Sequence, residues 1–297
     1  MKISELTNKE TLDVLLLGVE EKIARNNNSY VVFQVTDGVE TIFVQQWDSV
    51  AEPYKKCIGC VVRMTIKCGS YKGKKTYESL MMDLTDKPAD LFIRKVPADI
   101  MDMWTEIIER CNKMENKIRT IVLQVLMDNK EKLLYWAAGK QVHHALYGGL
   151  LYHMYRMGRT ADSLCDTYTN LNRDLLVAGA YLHDIGKLQE LNTDKFGTAE
   201  YTIPGTLLGH MILGIKMLDA TEGDPDILFQ LEHMIASHHG EPEYGAIVRP
   251  ATAEAMALHE VDMMDSKMYQ FEEAYEKMES GTLSEKIFGL NTPIFKN

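Results

Sequence analysis

The sequence has no apolar run long enough to cross a membrane: the longest, such as Leu175 to Leu182, stop well short of the roughly 20 residues that a spanning helix needs. Its N-terminus, Met1-Lys-Ile-Ser-Glu-Leu-Thr7, has no apolar stretch leading to a small-residue cleavage site, so no secretory signal and no membrane partner are expected, and the protein is placed in the cytoplasm. A disulfide framework is missing as well. Five cysteines, an odd number spread unevenly, fit a reducing compartment. Cys57 and Cys60 form one CxxC pair with Cys68 nearby, but no second pair completes a tetrahedral zinc site, and these three are expected as small residues in strand cores. Internal repeats and low-complexity segments are also absent.

What the chain does have is enough apolar material for two cores, with 45% hydrophobic residues over 297 positions. Its net charge of −11, taken as a sum, argues against a nucleic-acid binder, but position matters more than the total. From Pro53 to Tyr77 there are seven basic residues (Lys55, Lys56, Arg63, Lys67, Lys72, Lys74 and Lys75) and no acidic one.

Residues 12 to 47 alternate with the period of half-buried strands, through Asp13-Val-Leu-Leu-Leu-Gly-Val, Tyr30-Val-Val-Phe-Gln-Val-Thr and Thr41-Ile-Phe-Val-Gln-Gln-Trp. Asn26-Asn27-Asn28-Ser29 and Asp37-Gly38 supply the turns between them. A fourth strand is expected at Cys60-Val-Val-Arg-Met-Thr-Ile-Lys, and a fifth from Thr76 to Met82 after the Tyr71-Lys-Gly-Lys turn. Five short strands in about 85 residues predict a small barrel, and their order resembles an OB-fold. That resemblance implies single-stranded RNA or DNA as partner, gripped by Arg63, Lys72, Lys74 and Lys75, with Tyr71, Tyr54 and Tyr77 as stacking platforms. The alternative is that the lysines keep edge strands soluble and the tyrosines pack the barrel.

Beyond Lys87-Pro88 the period turns helical, and Ile100 to Met127 reads as one long linker helix or a helical pair. The expected architecture is multidomain α+β: a five-stranded OB-fold barrel over 1–88, a helical linker over 89–130, an all-α domain over 131–280 and a surface tail over 281–297. Apolar faces on the linker helices leave self-association into a homo-oligomer open.

Chemistry concentrates in the helical part. A buried apolar helix capped at Asp174 runs into His183-Asp184-Ile-Gly-Lys187, and an imidazole beside a carboxylate at its end would cost several kcal/mol without a partner or a metal. His153 lies among apolar neighbours in Gly149-Leu-Leu-Tyr-His, and His210 does so in Leu207-Leu-Gly-His-Met-Ile-Leu-Gly. Asp224-Pro-Asp opens another helix whose inward face, Leu228, Leu231 and Ile235, carries His238 and His239 at its C-terminal edge. On the last long helix Ala255, Leu258 and Asp262 share one stripe, which Asp265 continues as a reserve candidate. His233 is read as solvent-exposed, and His259 as either support for Asp262 or chemically idle. The set His153, His183, Asp184, His210, His238, His239 and Asp262 suits borderline divalent metals.

The ordered pattern H…HD…H…HH…D resembles the binuclear branch of the HD phosphohydrolases. That likeness implies two divalent cations, manganese first and otherwise iron, cobalt, zinc or magnesium. Asp184 would be shared between His153, His183 and Asp262 on one ion and His210, His238 and His239 on the other. The segments His143-His144-Ala-Leu-Tyr-Gly-Gly-Leu-Leu-Tyr-His153, His183-Asp-Ile-Gly-Lys, Ser237-His-His-Gly-Glu-Pro-Glu-Tyr-Gly and Leu258-His-Glu-Val-Asp262 are similar to the YhaM family of 3′-to-5′ exoribonucleases, which joins an OB-fold to an HD domain. The likeness covers about residue 10 to 280. It implies hydrolysis of single-stranded RNA, with DNA open, to 5′-mononucleotides; Asp184 would bridge the ions and orient the water, Lys187 would touch a phosphate oxygen, His144 or His143 would contact phosphate or protonate the leaving oxygen, and Arg249 would hold the strand. The stretch from Asp162 to Arg173 matches nothing assignable. Two rivals remain. One is an HD enzyme acting on a small or cyclic nucleotide, although the Gly-Tyr-Pro signature of the cyclic-dinucleotide branch is absent. The other is a single-strand binding factor with incidental hydrolysis.

Overall fold

The structure, a computed structural model, describes residues 1–24, 27–139, 146–287 and 289–297. Contacts divide the chain into two units, Met1–Lys95 and Val96–Asn297.

In the first unit the period-two segments become β1 (Lys9–Ile23), β2 (Ser29–Thr36), β3 (Thr41–Trp47), β4 (Val61–Tyr71) and β5 (Lys74–Leu84), with a single helical turn, α1 (Glu52–Lys55), between β3 and β4. They close into a barrel in the order β1-β2-β3-β5-β4, the strand order of an OB-fold. Strand β1 is long enough to serve two neighbours: Lys9 to Leu15 pair with β4, and Leu15 to Ile23 pair with β2 across a bulge at Leu16 to Gly18. A bulge bends and twists a strand, which is what closure requires. The barrel closes where β3 meets β5 in parallel at Gln45 and Glu78. Alternation sends Leu12, Val14, Leu16, Val31, Phe33, Val35, Val44, Val62, Met64 and Ile66 inward as one core. Cys57 is buried with them, while Cys60 and Cys68 are half-buried, and all five cysteines are free thiols.

The second unit is helical: α2 (Ile100–Asn112), α3 (Asn116–Asp128), α4 (Lys130–Leu133), α5 (Gly149–Thr167), α6 (Arg173–Leu182) and α7 (Lys187–Glu190). A two-stranded ribbon, β6 (Leu191–Thr193) and β7 (Ala199–Tyr201), precedes α8 (Ile203–Asp219), α9 (Pro225–Ser237) and α10 (Ala253–Glu276). The stretch 100–128 is a helical pair, and it belongs to this core. Met103, Trp104 and Ile107 of α2 and Ile118, Ile121 and Val122 of α3 are buried with Leu150 and Met154 of α5, Leu176 and Leu182 of α6, and Leu258 of α10.

Helix α6 starts two residues earlier than the Asp174 cap predicted. Asn172 caps it by accepting from the Leu175 amide, and the Asp174 carboxylate instead accepts the Glu115 amide at the start of α3 (2.7 Å). Asp224 does cap α9, accepting from the amides of Asp226 and Ile227. After α10 the chain doubles back as a hairpin bridged at Leu283 to Phe295 and Ile287 to Thr292, with Ile294 buried beneath it.

Candidate metal centre and nucleic-acid surface

Five helices deliver the ligand-type side chains to one place. His153 comes from α5, His183 and Asp184 from the end of α6, His210 from α8, His238 and His239 from the end of α9, and Asp262 from α10. His153, His183, Asp184 and His238 are buried; His210, His239 and Asp262 are half-buried.

The local sequence fixes how each ring faces. Nδ1 of His183 donates to the Ala180 carbonyl (3.1 Å), that of His238 to the Ile235 carbonyl (2.7 Å) and that of His239 to the Tyr244 carbonyl (3.1 Å). Nδ1 of His153 donates to Asp265 Oδ2 (2.8 Å) and that of His210 to Glu190 Oε1 (3.2 Å). Every acceptor is an oxygen, so each Nδ1 carries the hydrogen, and a neutral ring then turns a bare Nε2 lone pair to the centre. There Nε2 of His153 lies 3.2 Å from that of His183, and Nε2 of His210 lies 3.4 Å from that of His238. Lone pairs at such distances repel unless a cation or a proton stands between them.

The carboxylates complete two groups. Asp184 Oδ2 lies 3.4 Å from His183 Nε2 and 3.7 Å from His153 Nε2, and Asp262 Oδ1 lies 3.3 Å from His153 Nε2. The other oxygen of Asp184, Oδ1, lies 3.5 Å from His210 Nε2 and 3.8 Å from His238 Nε2. Ligand bonds of about 2.1 Å put neighbouring donor atoms about 3.0 to 3.4 Å apart in octahedral or tetrahedral sites, so both groups are a slight contraction away from coordinating. Asp184 Oδ1 is also a buried atom with no hydrogen-bond partner, a costly state that a cation would relieve.

Electrostatics carry the same demand for positive charge. Burial disfavours a charged His153, yet Asp262 and Asp265 outweigh it and push its pKa up to about 10. Burial also works against ionised Asp184 and Asp262, but Lys187 and the imidazoles around Asp184, and His153 and His183 beside Asp262, hold both carboxyls well below the usual range. His238 and His239 are driven the other way, toward the neutral form, by burial and by His183 and His210 respectively. Deprotonated acids and neutral imidazoles are the forms that bind metal.

Two supporting residues, Glu190 and Arg156, were not named from the sequence. Glu190 ends the short helix α7. Its carboxylate accepts both the His210 amide (3.0 Å) and the ring Nδ1. Helix α8 is broken at Gly209, where φ is +71°, so the amide of His210 has lost its helical acceptor and Glu190 replaces it. Asp265 is not a ligand-facing group: it stands behind His153 and takes Arg156 Nε on its other oxygen (2.6 Å), while Arg156 reaches Glu272 (2.6 Å). The position of Arg156 one turn after His153 was the available clue. His259 supports the centre through His238 rather than Asp262, donating to the His238 carbonyl (2.7 Å). His233 is half-buried, not fully exposed, and its Nε2 accepts the Ala251 amide (2.9 Å).

Lys187 starts α7 and lies 2.7 Å from Asp184 Oδ2. Arg249 is exposed and hydrogen-bonded to Glu241 (2.7 Å), outside the lining of the pocket that holds the cluster. His143 and His144 lie outside the described residues.

In the barrel, the β4–β5 hairpin turns through Lys72 and Gly73, both with positive φ, the backbone of a tight two-residue hairpin. Tyr71 beside it is 67% exposed, with Lys72 Nζ 5.6 Å from its ring centre. Among the described residues Lys56, Lys72, Lys74 and Lys75 hold no ion pair, whereas Lys55 pairs with Glu52, Lys67 with Glu78 and Arg63 with Asp13. Arg63 grips both oxygens of Asp13 (2.8 and 3.2 Å), which Lys87 also contacts; hydrogen bonds from the two cations lower the Asp13 pKa to about 2.

Two of the expected stacking platforms face inward. Tyr54 sets its ring edge-on to Phe33 (5.0 Å), and Tyr77 packs on the same core. The exposed aromatics lie instead on β3, where Phe43 is 62% and Trp47 48% exposed, with Tyr30 of β2 stacked on Trp47 at 4.8 Å. The period-two pattern held this information, since Phe43 and Trp47 point opposite to buried Val44.

Residues 150–267 match the HD domain family. The chain is 31% identical over 298 residues to a 3′-5′ exoribonuclease YhaM of Geobacillus sp., covering 96% of this chain and 91% of that protein. It is 29% identical over 280 residues to the protein of that name from Oceanobacillus iheyensis, with 91% and 88% covered. Among solved structures it is similar to the second OB-fold domain of replication protein A from Methanococcus maripaludis, at 14% identity and a TM-score of 0.25, over 29% of this chain and 95% of that one. So slight a likeness adds nothing to the barrel assignment, which rests on strand order.

Proposed function

The chain belongs to the YhaM family of 3′-5′ exoribonucleases, and on that premise we propose that it degrades single-stranded RNA from the 3′ end to 5′-mononucleotides with two divalent cations, manganese foremost. It is a metal-dependent 3′-5′ exonuclease. The observation that carries the two-ion reading is the divided carboxylate. Asp184 turns Oδ2 to His153 and His183, which Asp262 also approaches, and turns its orphaned Oδ1 to His210 and His238, beside His239.

Cations bound there would supply an ionised water as nucleophile near neutral pH and positive charge for the phosphate oxygens. The chain's own groups do the rest. Asp265 and Glu190 hold the His153 and His210 rings in the tautomer that leaves Nε2 bare. Lys187 neutralises Asp184 Oδ2 and is within reach of a phosphate oxygen as charge builds on it. His144 is the proposed proton donor to the leaving oxygen and His143 a phosphate contact; Arg249 joins them only by exchanging Glu241 for phosphate.

On the barrel, Lys72, Lys74, Lys75 and Tyr71 at the β4–β5 hairpin, together with Phe43 and Trp47, make the face proposed to hold the strand. OB-folds use the β2–β3 surface and that hairpin for this purpose. Arg63 serves the barrel through Asp13 in the free protein. No helix among the described residues is long and apolar enough to cross a membrane, and free cysteines support a reducing, cytoplasmic setting.

The test is incubation of chelator-treated protein with 3′- or 5′-labelled single strands of RNA and DNA under each candidate metal. Expected are release of the 3′ label as mononucleotide, stepwise shortening of the 5′-labelled strand, and the fastest turnover with manganese. Turnover of cyclic dinucleotides with intact RNA would replace this reading by the small-nucleotide one.

A further inference from the structure

The pocket that holds the ligand cluster continues past it. Its volume is about 350 Å³, and beyond the ligands it is lined by Tyr244, Met263, Ser266, Lys267, Gln270 and Gly289. Asp262, Ser266 and Gln270 follow one another at four-residue spacing on α10, so they form a row along one face, and Gln270 lies about 12 Å along the helix axis from Asp262. The row leads away from the metal centre.

Two features shape this extension. At its rim Tyr244 is 69% exposed, while its carbonyl accepts Nδ1 of His239, which ties the Tyr244 backbone to a side chain of the ligand cluster. Gly289, in the C-terminal hairpin, lies against Gln270: a Cβ at Gly289 would sit 2.1 Å from Gln270 Oε1. Gly289 is not among the residues with positive φ, so the position exploits the missing side chain rather than backbone freedom. The hairpin is pinned to α10. Lys296 Nζ donates to the carbonyls of Tyr275 (2.6 Å) and Met278 (2.8 Å), the Tyr275 hydroxyl donates to the Phe295 carbonyl (3.0 Å), and Ile294 is buried.

We infer that this extension is the subsite for the 3′-terminal nucleoside, with Tyr244 stacking on the base and Gln270, backed by the hairpin at Gly289, closing the pocket behind the sugar. An exposed aromatic ring, an apolar Met263 and one fixed amide match a base and its ribose. Lys267, which has no ion pair among the described residues, supplies positive charge for the phosphate that departs with that nucleoside. With Gln270 and Gly289 standing behind the sugar, such a subsite would admit a strand by its terminus and leave no path for chain to run on past them. This gives a structural reason for cutting at the end rather than within, and it rests on the exonuclease reading.

The test measures binding to the manganese-loaded full-length protein by calorimetry, with inorganic phosphate and adenosine 5′-monophosphate as probes. Wild type is expected to bind the nucleotide about tenfold or more tightly than phosphate. Tyr244→Ala is expected to lose about tenfold in that preference, Tyr244→Phe to retain it, and Gly289→Leu to lose it altogether. Equal binding of both probes by wild type, or a Tyr244→Ala variant that weakens phosphate and nucleotide alike, would overturn the subsite. Shortening of RNA from its 3′ end without the preference would overturn the subsite alone. The preference without shortening would keep the subsite and overturn the exonuclease reading.

Discussion

In the barrel, the groups proposed to touch nucleic acid stand in water: Tyr71, Phe43, Lys72, Lys74 and Lys75 are all exposed. In the helical unit, the groups proposed to do chemistry are taken out of it, with His183 at 0% and Asp184 at 3% exposure. An exposed lysine has paid nothing for its position, so losing one leaves the others as they were. A buried carboxylate amid imidazoles is tolerable only through its partners, so removing one member changes the state of all. The barrel surface should therefore respond to mutation additively and mildly, and the metal centre cooperatively and severely.

The sharpest attempt to break that contrast is Asp184→Asn. It keeps the shape of the side chain but removes the charge shared by both ligand groups and turns an amide hydrogen toward bare Nε2 atoms. Hydrolysis is expected to fall by roughly a thousandfold or more, the scale of several kcal/mol of transition-state stabilisation. Metal content, read by elemental analysis, should fall for both ions, and RNA affinity should stay within about threefold because the barrel is untouched. A variant that kept one ion and a tenth of the activity would show the centre to be as modular as the barrel.

A smaller effect separates the two halves of the centre. Asp265→Asn should loosen the His153 ring and Glu190→Gln the His210 ring, each weakening one ion by about 10- to 100-fold, the usual cost of losing a carboxylate behind a ligating histidine. Manganese titrations followed by calorimetry should show two binding steps in wild type, with a different step weakened in each variant. If both substitutions weakened the same step, the division of ligands at Asp184 would be wrong.

The same contrast explains what could be read from the sequence. Ligands such as His153, His183, Asp184 and His238 stood out because an ionisable group inside an apolar helix is anomalous, and the anomaly survives without knowledge of the fold. Strands β1 to β5 were visible because period two is local. Glu190 was hidden: its role depends on the break at Gly209 bringing an uncapped amide beside it, and no spacing along the chain encodes that meeting. The inward turn of Tyr54 and Tyr77 was hidden for a related reason, since interleaving with lysines gives composition but not the face on which a ring lies. The hairpin that brings Gly289 to Gln270 is a tertiary contact between the end of the chain and the C-terminal third of α10, and its Gly-, Thr- and Pro-containing sequence looked like tail.

The mildest expected effects belong to the barrel, and their salt dependence distinguishes the two ways it can hold a strand. Replacing Lys72, Lys74 and Lys75 together by Ala removes three unpaired cations. Each phosphate contact on a single strand contributes about 0.7 to the slope of log affinity against log salt, so the triple variant should flatten that slope by about 2 and weaken binding on the order of tenfold near physiological salt. Trp47→Ala should also cost about 1 to 3 kcal/mol, the worth of one stacked base, but with the slope unchanged because no counterion is released. Fluorescence anisotropy with a short single-stranded RNA at several salt concentrations reads both. If Trp47→Ala left affinity alone while the lysine variant lost it, the strand would lie on the β4–β5 hairpin and not across β3. If neither moved it, the barrel would not be the strand-binding unit, however well its topology suits that task.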